Sequence, residues 1–121
     1  PRGIINKKFD TIFLGDVIEH LKYPASALKV FRDLLADDGI MIISIPNISH
    51  ISIRLELLNG SFEYEDLGIL DDTHLKYFTL KSITNIINSC KLKIVMVDYS
   101  AKYLSKSTIK NFLQKNGMIN S

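Results

Sequence analysis

The chain reads as an α/β unit built on an open parallel sheet, and three observations predict it. Two continuous apolar runs, Thr11 to Gly15 (TIFLG) and Ile40 to Ile45 (IMIISI), flank a segment of helical spacing, and a third run follows at Lys91 to Asp98 (KLKIVMVD). Apolar runs without polar alternation suit strands covered on both faces, as in parallel sheets. Strand, helix and strand in close succession form the pattern of a right-handed βαβ crossover.

Each element has its own signal. The first strand runs from Thr11 to Gly15, after the polar Asn6-Lys7-Lys8. Pro24 is a good first-turn residue, and Ala27, Leu28, Phe31, Leu34 and Leu35 recur at helical spacing until Asp37-Asp38-Gly39 stops the pattern. The second strand is Ile40 to Ile45. From Pro46 to Phe78 no clean period runs through, although Ile51 to Leu58 fits a short helix ending at Asn59-Gly60. A connection this long in a compact α/β unit is more often a functional cap than a plain linker. Thr79 is placed to cap another helix, with Leu80, Ile83, Ile86, Ile87 and Cys90 on one face. Lys91 to Asp98 is expected as a third strand. The closing segment carries a weaker helical pattern in Ile109, Phe112 and Leu113, with Gly117 as its stop.

Composition narrows the function classes. With 121 residues, 46% hydrophobic and 23% charged, the chain has the make-up of one globular unit with a real core. The net charge of +2 is too near neutral to advertise nucleic acid or an anionic membrane as partner. Lys102, Lys106, Lys110 and Lys115 read as a solvated helix face. The apolar runs reach about half of the ~20 residues a membrane span needs, and Pro-Arg-Gly at the start is no secretory leader. The lone Cys90 reads as a small core residue, so a cytoplasmic setting is expected.

Chemistry concentrates just after the first strand, in Gly15-Asp16-Val17-Ile18-Glu19-His20-Leu21. Ligands of open parallel sheets collect beyond the carboxyl ends of the strands. A helical turn here would turn Asp16, Glu19 and His20 the same way. Two oxygen donors and one nitrogen suit a divalent cation such as Mg2+, Mn2+ or Fe2+. His74, at the far end of the cap, is placed to close over this group. The alternative reading is structural, with Glu19 and His20 capping a turn and His74 bonding a loop. Pro46-Asn47, after the second strand, is either a second rim element or an ordinary turn. His50 reads as a helix-start residue. Phe62, Tyr64, Tyr77 and Phe78 either line a substrate pocket or anchor the cap by packing.

The blocks Phe9-Asp10-Thr11-Ile12, Asp16-Val17-Ile18-Glu19-His20-Leu21, Pro24, Leu28, Leu34-Leu35, Gly39 and Ser44-Ile45-Pro46-Asn47 together resemble the second half of class I methyltransferases of the ubiquinone-biosynthesis O-methyltransferase type. Gly68-Ile69-Leu70-Asp71, His74 and Phe78-Thr79 are similar to a subgroup found beside glycosyltransferases in surface-polysaccharide pathways. The resemblance spans residues 9–98. It implies a partial Rossmann-like class I methyltransferase fold, with strands four, five and six, and an S-adenosylmethionine cofactor lying beside Gly15, Asp16 and Val17. It also implies methyl transfer to an O or N acceptor on a small molecule or glycan; Glu19 and His20 are then the candidate catalytic groups, and by their position and residue type Pro46, Asn47, Tyr64 and Tyr77 are the candidates for the substrate side. In some relatives an acidic-x-x-Glu-His cluster with a later histidine holds a metal, which matches Asp16, Glu19, His20 and His74.

The organisation this implies is a C-terminal half-domain over residues 1–98, with a cap insertion at 48–78, and a helical extension over 99–121. No Gly-x-Gly loop precedes Phe9, so the chain alone is expected to be inactive. The uncovered edge of the first strand is expected to drive self-association, which leaves a second reading as a non-catalytic oligomerising module.

Overall fold

A computed structural model describes residues 6–99, 106–115 and 117. Strand β1 (Phe9–Gly15) pairs in parallel with β2 (Leu35–Ser44), and helix α1 (Pro24–Leu34) joins them. The register runs from Thr11 opposite Ile40 to Gly15 opposite Ser44. Pro24 stands in the first turn of α1, where its missing N–H costs nothing. Sequence spacing puts the start of β2 at Ile40, but the strand begins at Leu35, directly after α1. An irregularity between Phe9 and Thr11 takes up the extra residues around Asp37-Asp38-Gly39. A Cβ on Gly39 would sit 2.8 Å from the Leu35 side chain and 3.0 Å from the Ala36 carbonyl oxygen, so this bend needs glycine.

The core lies on the α1 side of the sheet. Leu14, Ile18, Leu28, Phe78, Ile83 and Cys90 are buried together, with Ile12, Met41, Ile43 and Ile86 packed against them. Cys90 is a free thiol with no exposure, and its Sγ lies 3.4 Å from the Ala25 carbonyl oxygen, as expected of a core cysteine. Helix α2 (Ile51–Leu58) buries Ile53 and Leu55, and His50 starts it by accepting the Ser52 N–H at Nδ1. Helix α3 (Leu80–Ser89) opens with a reciprocal cap: the Thr79 hydroxyl accepts the Ser82 N–H, and the Ser82 hydroxyl accepts the Thr79 N–H.

The structure corrects two expectations. Continuous apolar runs predict strands covered on both faces, yet only one face is covered by described residues. Phe13, Ile40 and Ile42 stand 68%, 55% and 49% exposed on the other. Residues Lys91 to Asp98 form no strand, because a strand exists only through its ladder and no described residue pairs with this segment. Its apolar side chains Val95 and Met96 are exposed instead. Helix α4 (Lys106–Lys115) forms where the weak pattern predicts, and Gly117 follows it at φ +65°. Lys110 and Lys115 are exposed; Pro1 to Gly3, Lys102 and the side chains of Lys106, Ile109 and Phe112 lie outside the described residues. No helix among the described residues is long and apolar enough to cross a membrane.

Candidate functional site

The carboxyl ends of β1 and β2 are tied together by Asp16. Its backbone is left-handed (φ +51°), a conformation that the short polar Asp side chain tolerates. Its N–H donates to the Ser44 carbonyl oxygen at 3.1 Å, and the Ser44 hydroxyl donates to Asp16 Oδ1 at 3.5 Å. The chain then makes a single 3-10 turn, Ile18–His20, anchored by the fully buried Ile18. Anchoring Ile18 in the core turns the next two residues toward the cap, where the Glu19 carbonyl oxygen accepts the N–H groups of Leu75 and Lys76 at 2.8 and 3.0 Å.

Glu19, His20 and His74 converge there. Glu19 is 1% exposed, and neither carboxylate oxygen has a hydrogen-bond partner among the described residues. Burying an unpaired carboxylate costs several kcal/mol, so this position asks for positive charge nearby. The Nε2 atoms of His20 and His74 each stand 3.9 Å from Glu19 Oε1. That is too long for a hydrogen bond. The imidazole rings meet edge to face, with centroids 4.9 Å apart. Each ring has its other nitrogen against a main-chain oxygen, His20 Nδ1 at 3.2 Å from the Thr73 carbonyl and His74 Nδ1 at 3.1 Å from the Ile69 carbonyl. A carbonyl can only accept, so a neutral ring in this position carries its proton on Nδ1 and turns a bare Nε2 toward Glu19.

The cap supplies the scaffold. It returns to the rim where it left, through an isolated bridge between Asn47 and Phe78 in which the Ile48 N–H donates to the Phe78 carbonyl oxygen at 2.9 Å. Asp71 braces the loop that carries both carbonyls. Its Oδ1 accepts the Thr73 N–H at 2.8 Å and the Thr73 hydroxyl at 2.6 Å. The bond from the Thr73 hydroxyl, ahead of that from the N–H, holds the Asp71 carboxyl below its ordinary pKa. Gly68, at φ +97°, makes the turn that brings Ile69 round. Phe62, Tyr64, Tyr77 and His74 form a run of edge-to-face rings. The buried Tyr77 hydroxyl is without a hydrogen-bond partner among the described residues, and burial pushes its pKa up, with Tyr64 adding to the effect.

Of the residues singled out from sequence, Glu19, His20 and His74 come together. Asp16 does not join them, because the turn is left-handed at Asp16 and 3-10 beyond it rather than α-helical. Gly15, Asp16 and Val17 lie at the strand end. Asn47 Oδ1 accepts the Ser49 N–H and hydroxyl at 2.9 and 2.6 Å, so at Pro46-Asn47 the side chain is engaged in a turn. Tyr77 adjoins His74, while Tyr64 is exposed at the far end of the ring run. Sequence reasoning missed Asp71 and Thr73 as the brace behind His20. The Asp-x-Thr spacing of an Asx turn was the available signal.

The described residues form a small α/β unit on an open two-stranded parallel sheet, with a polar cluster beyond its carboxyl edge. The family profile described as "Methyltransferase domain" matches residues 5–97. The chain belongs to that family. No curated protein matches it.

Proposed function

We propose that the protein transfers a methyl group from S-adenosylmethionine to an oxygen or nitrogen of a small molecule or glycan, with these residues forming the acceptor side of the site. The observation that carries this reading is the family match over residues 5–97, which makes methyl transfer the reaction class. The cofactor's sulfonium supplies the electrophilic methyl. The acceptor's lone pair forms the new bond to carbon as the carbon–sulfur bond breaks, and the acceptor's proton must leave.

His20 is suited to take that proton. Its proton-bearing Nδ1 is committed to the Thr73 carbonyl, its Nε2 is bare, and its side chain is 39% exposed, so a substrate can reach it. Glu19 beside it stabilises the imidazolium that results. Gly15, Asp16 and Val17 lie at and just beyond the carboxyl end of β1, the edge at which open parallel sheets collect ligands, and that position supports assigning them to the cofactor's methionine end. The glycine-rich loop for the rest of the cofactor is not among these residues, so the chain acting alone is inactive on this reading. Isothermal calorimetry with S-adenosylmethionine on the protein as its gene encodes it tests the reading, and absence of binding contradicts it.

The bare sheet face of Phe13, Ile40 and Ile42 favours a second reading, in which the half-fold serves self-association. A clean monomer by light scattering at high concentration would remove it.

A further inference from the structure

We infer that the cap holds an ammonium group of the acceptor against the rings of Phe62, Tyr64 and Tyr77, with the cap's own carboxylates as countercharge. The acceptor is then an amine-bearing small molecule or glycan. This deepens the proposed reaction and rests on it.

Charge is segregated along the chain in a way that its near-neutral total hides. Between Arg54 and Lys76 stand Glu56, Glu63, Glu65, Asp66, Asp71 and Asp72, with no lysine or arginine among them. All 15 basic residues lie outside this stretch, against only seven of the 13 acidic ones. The fold gathers the acidic stretch instead of spreading it. A bridge joins Glu65 to Asp71, and the Asp72 N–H donates to the Glu65 carbonyl oxygen at 3.0 Å. Glu63, Glu65, Asp66 and Asp72 are exposed, and among the described residues no lysine or arginine pairs with a cap carboxylate. Like charges gathered this way deepen the negative potential over the cap and draw a cation to it.

Aromatic rings stand in the same segment. Phe62 and Tyr64 meet at 89° with centroids 5.4 Å apart, and Tyr77 stands at 76° to Phe62 at 6.4 Å. Phe62 is 39% and Tyr64 60% exposed, so ring surface remains open to a ligand. Burial, then Tyr64, then the charges of Asp71 and Asp72 raise the Tyr77 pKa, which puts both carboxylates within electrostatic reach of that ring. A divalent metal ion is served by converging oxygens alone, whereas an ammonium is attracted by carboxylates and ring faces together. Rings and carboxylates in one segment therefore favour the organic cation.

Two unpartnered polar groups extend this surface toward the reacting centre. The Tyr77 hydroxyl is buried without a hydrogen-bond partner among the described residues, and its oxygen can accept an ammonium N–H. Glu19, with its side chain 2% exposed and both oxygens equally unpartnered, aims Oε1 at His74, whose ring stands 6.3 Å from Tyr77. His74 in turn meets His20, the proposed base, at 4.9 Å. The ammonium serves as a handle and keeps its proton. A separate accepting atom on the same molecule then lies toward His20.

The test is a nitrogen-15 NMR titration of the protein as its gene encodes it, with glucosamine kept in its protonated form and with the uncharged N-acetylglucosamine. Glucosamine should shift the amides of Phe62, Glu63, Tyr64 and Asp72 saturably and bind about fivefold or more tighter than its acetylated counterpart, with the advantage shrinking as salt is added. Tyr64→Ala and Asp72→Asn should each weaken glucosamine binding by about threefold or more and leave N-acetylglucosamine unchanged. Both positions are exposed, so the two variants fold independently of the core. Equal binding of the two sugars, or a preference that survives both variants, overturns the inference. Labelled methyl transfer that runs equally well on hydroxyl acceptors with and without an amine would overturn it while leaving the proposed reaction standing. Selective glucosamine binding without S-adenosylmethionine binding would keep the cation site and remove the reaction.

Discussion

Glu19 and Phe13 sit close in sequence and invert the usual rule of burial. The carboxylate is 1% exposed and the phenyl ring 68% exposed. The inversions have different causes. Around Glu19 the neighbours are organised: two imidazoles face it, main-chain oxygens orient both rings, and Asp71 braces the loop behind one of them. Around Phe13 no such surround is found among the described residues, since its register partner Ile42 and the nearby Ile40 are exposed as well. The carboxyl is buried inside a built surround, whereas the apolar face is bare among the described residues.

Substitutions on the two faces of the sheet sharpen this contrast most. Leu28→Ala, at a fully buried position on the α1 side, should cost about 2–5 kcal/mol by urea denaturation. Phe13→Ser on the bare face should change monomer stability by less than about 0.5 kcal/mol. Equal losses would mean that the bare face is covered in solution. At the rim, Asp16→Val places a β-branched residue at φ +51° and removes the link to Ser44, so a loss of about 1–2 kcal/mol is expected from thermal melts. Thr79→Ala, which removes only the α3 cap, should cost about 1 kcal/mol.

The smallest effect concerns pH. Asp71 has a lowered pKa in the folded chain, so its contribution to stability is present above the unfolded value of 3.8 and is lost as pH falls through the folded value. Thr73→Val deletes the largest cause and should bring the Asp71 titration, followed by carboxyl NMR, back toward 3.8. An unmoved titration would show that the brace does not hold the loop as described.

The helices were legible in the sequence because their signals are local. Pro24 opens α1, Thr79 caps α3, and Ile51 to Leu58 supplies α2 at its predicted bounds. The strands were legible only in part. Strand β1 reads as apolar and pairs, but Lys91 to Asp98 reads the same way and does not, since pairing depends on a partner that the segment's own sequence cannot show. At the site, Glu19, His20 and His74 were visible as residue types, whereas the Thr73 and Ile69 carbonyls that orient the rings belong to the backbone and leave no mark in the sequence. Asp16 was misjudged in its partners because a helical turn was assumed where the backbone is left-handed.

The central claim is methyl transfer assisted by the Glu19–His20 pair. It is tested most directly by incubating the protein as its gene encodes it with S-adenosylmethionine carrying a labelled methyl group and a panel of hydroxyl and amine acceptors. The label should move to at least one acceptor, at a rate lowered by about 100-fold or more in both Glu19→Gln and His20→Ala. Transfer to none of them, or full-rate transfer by both variants, would contradict the account.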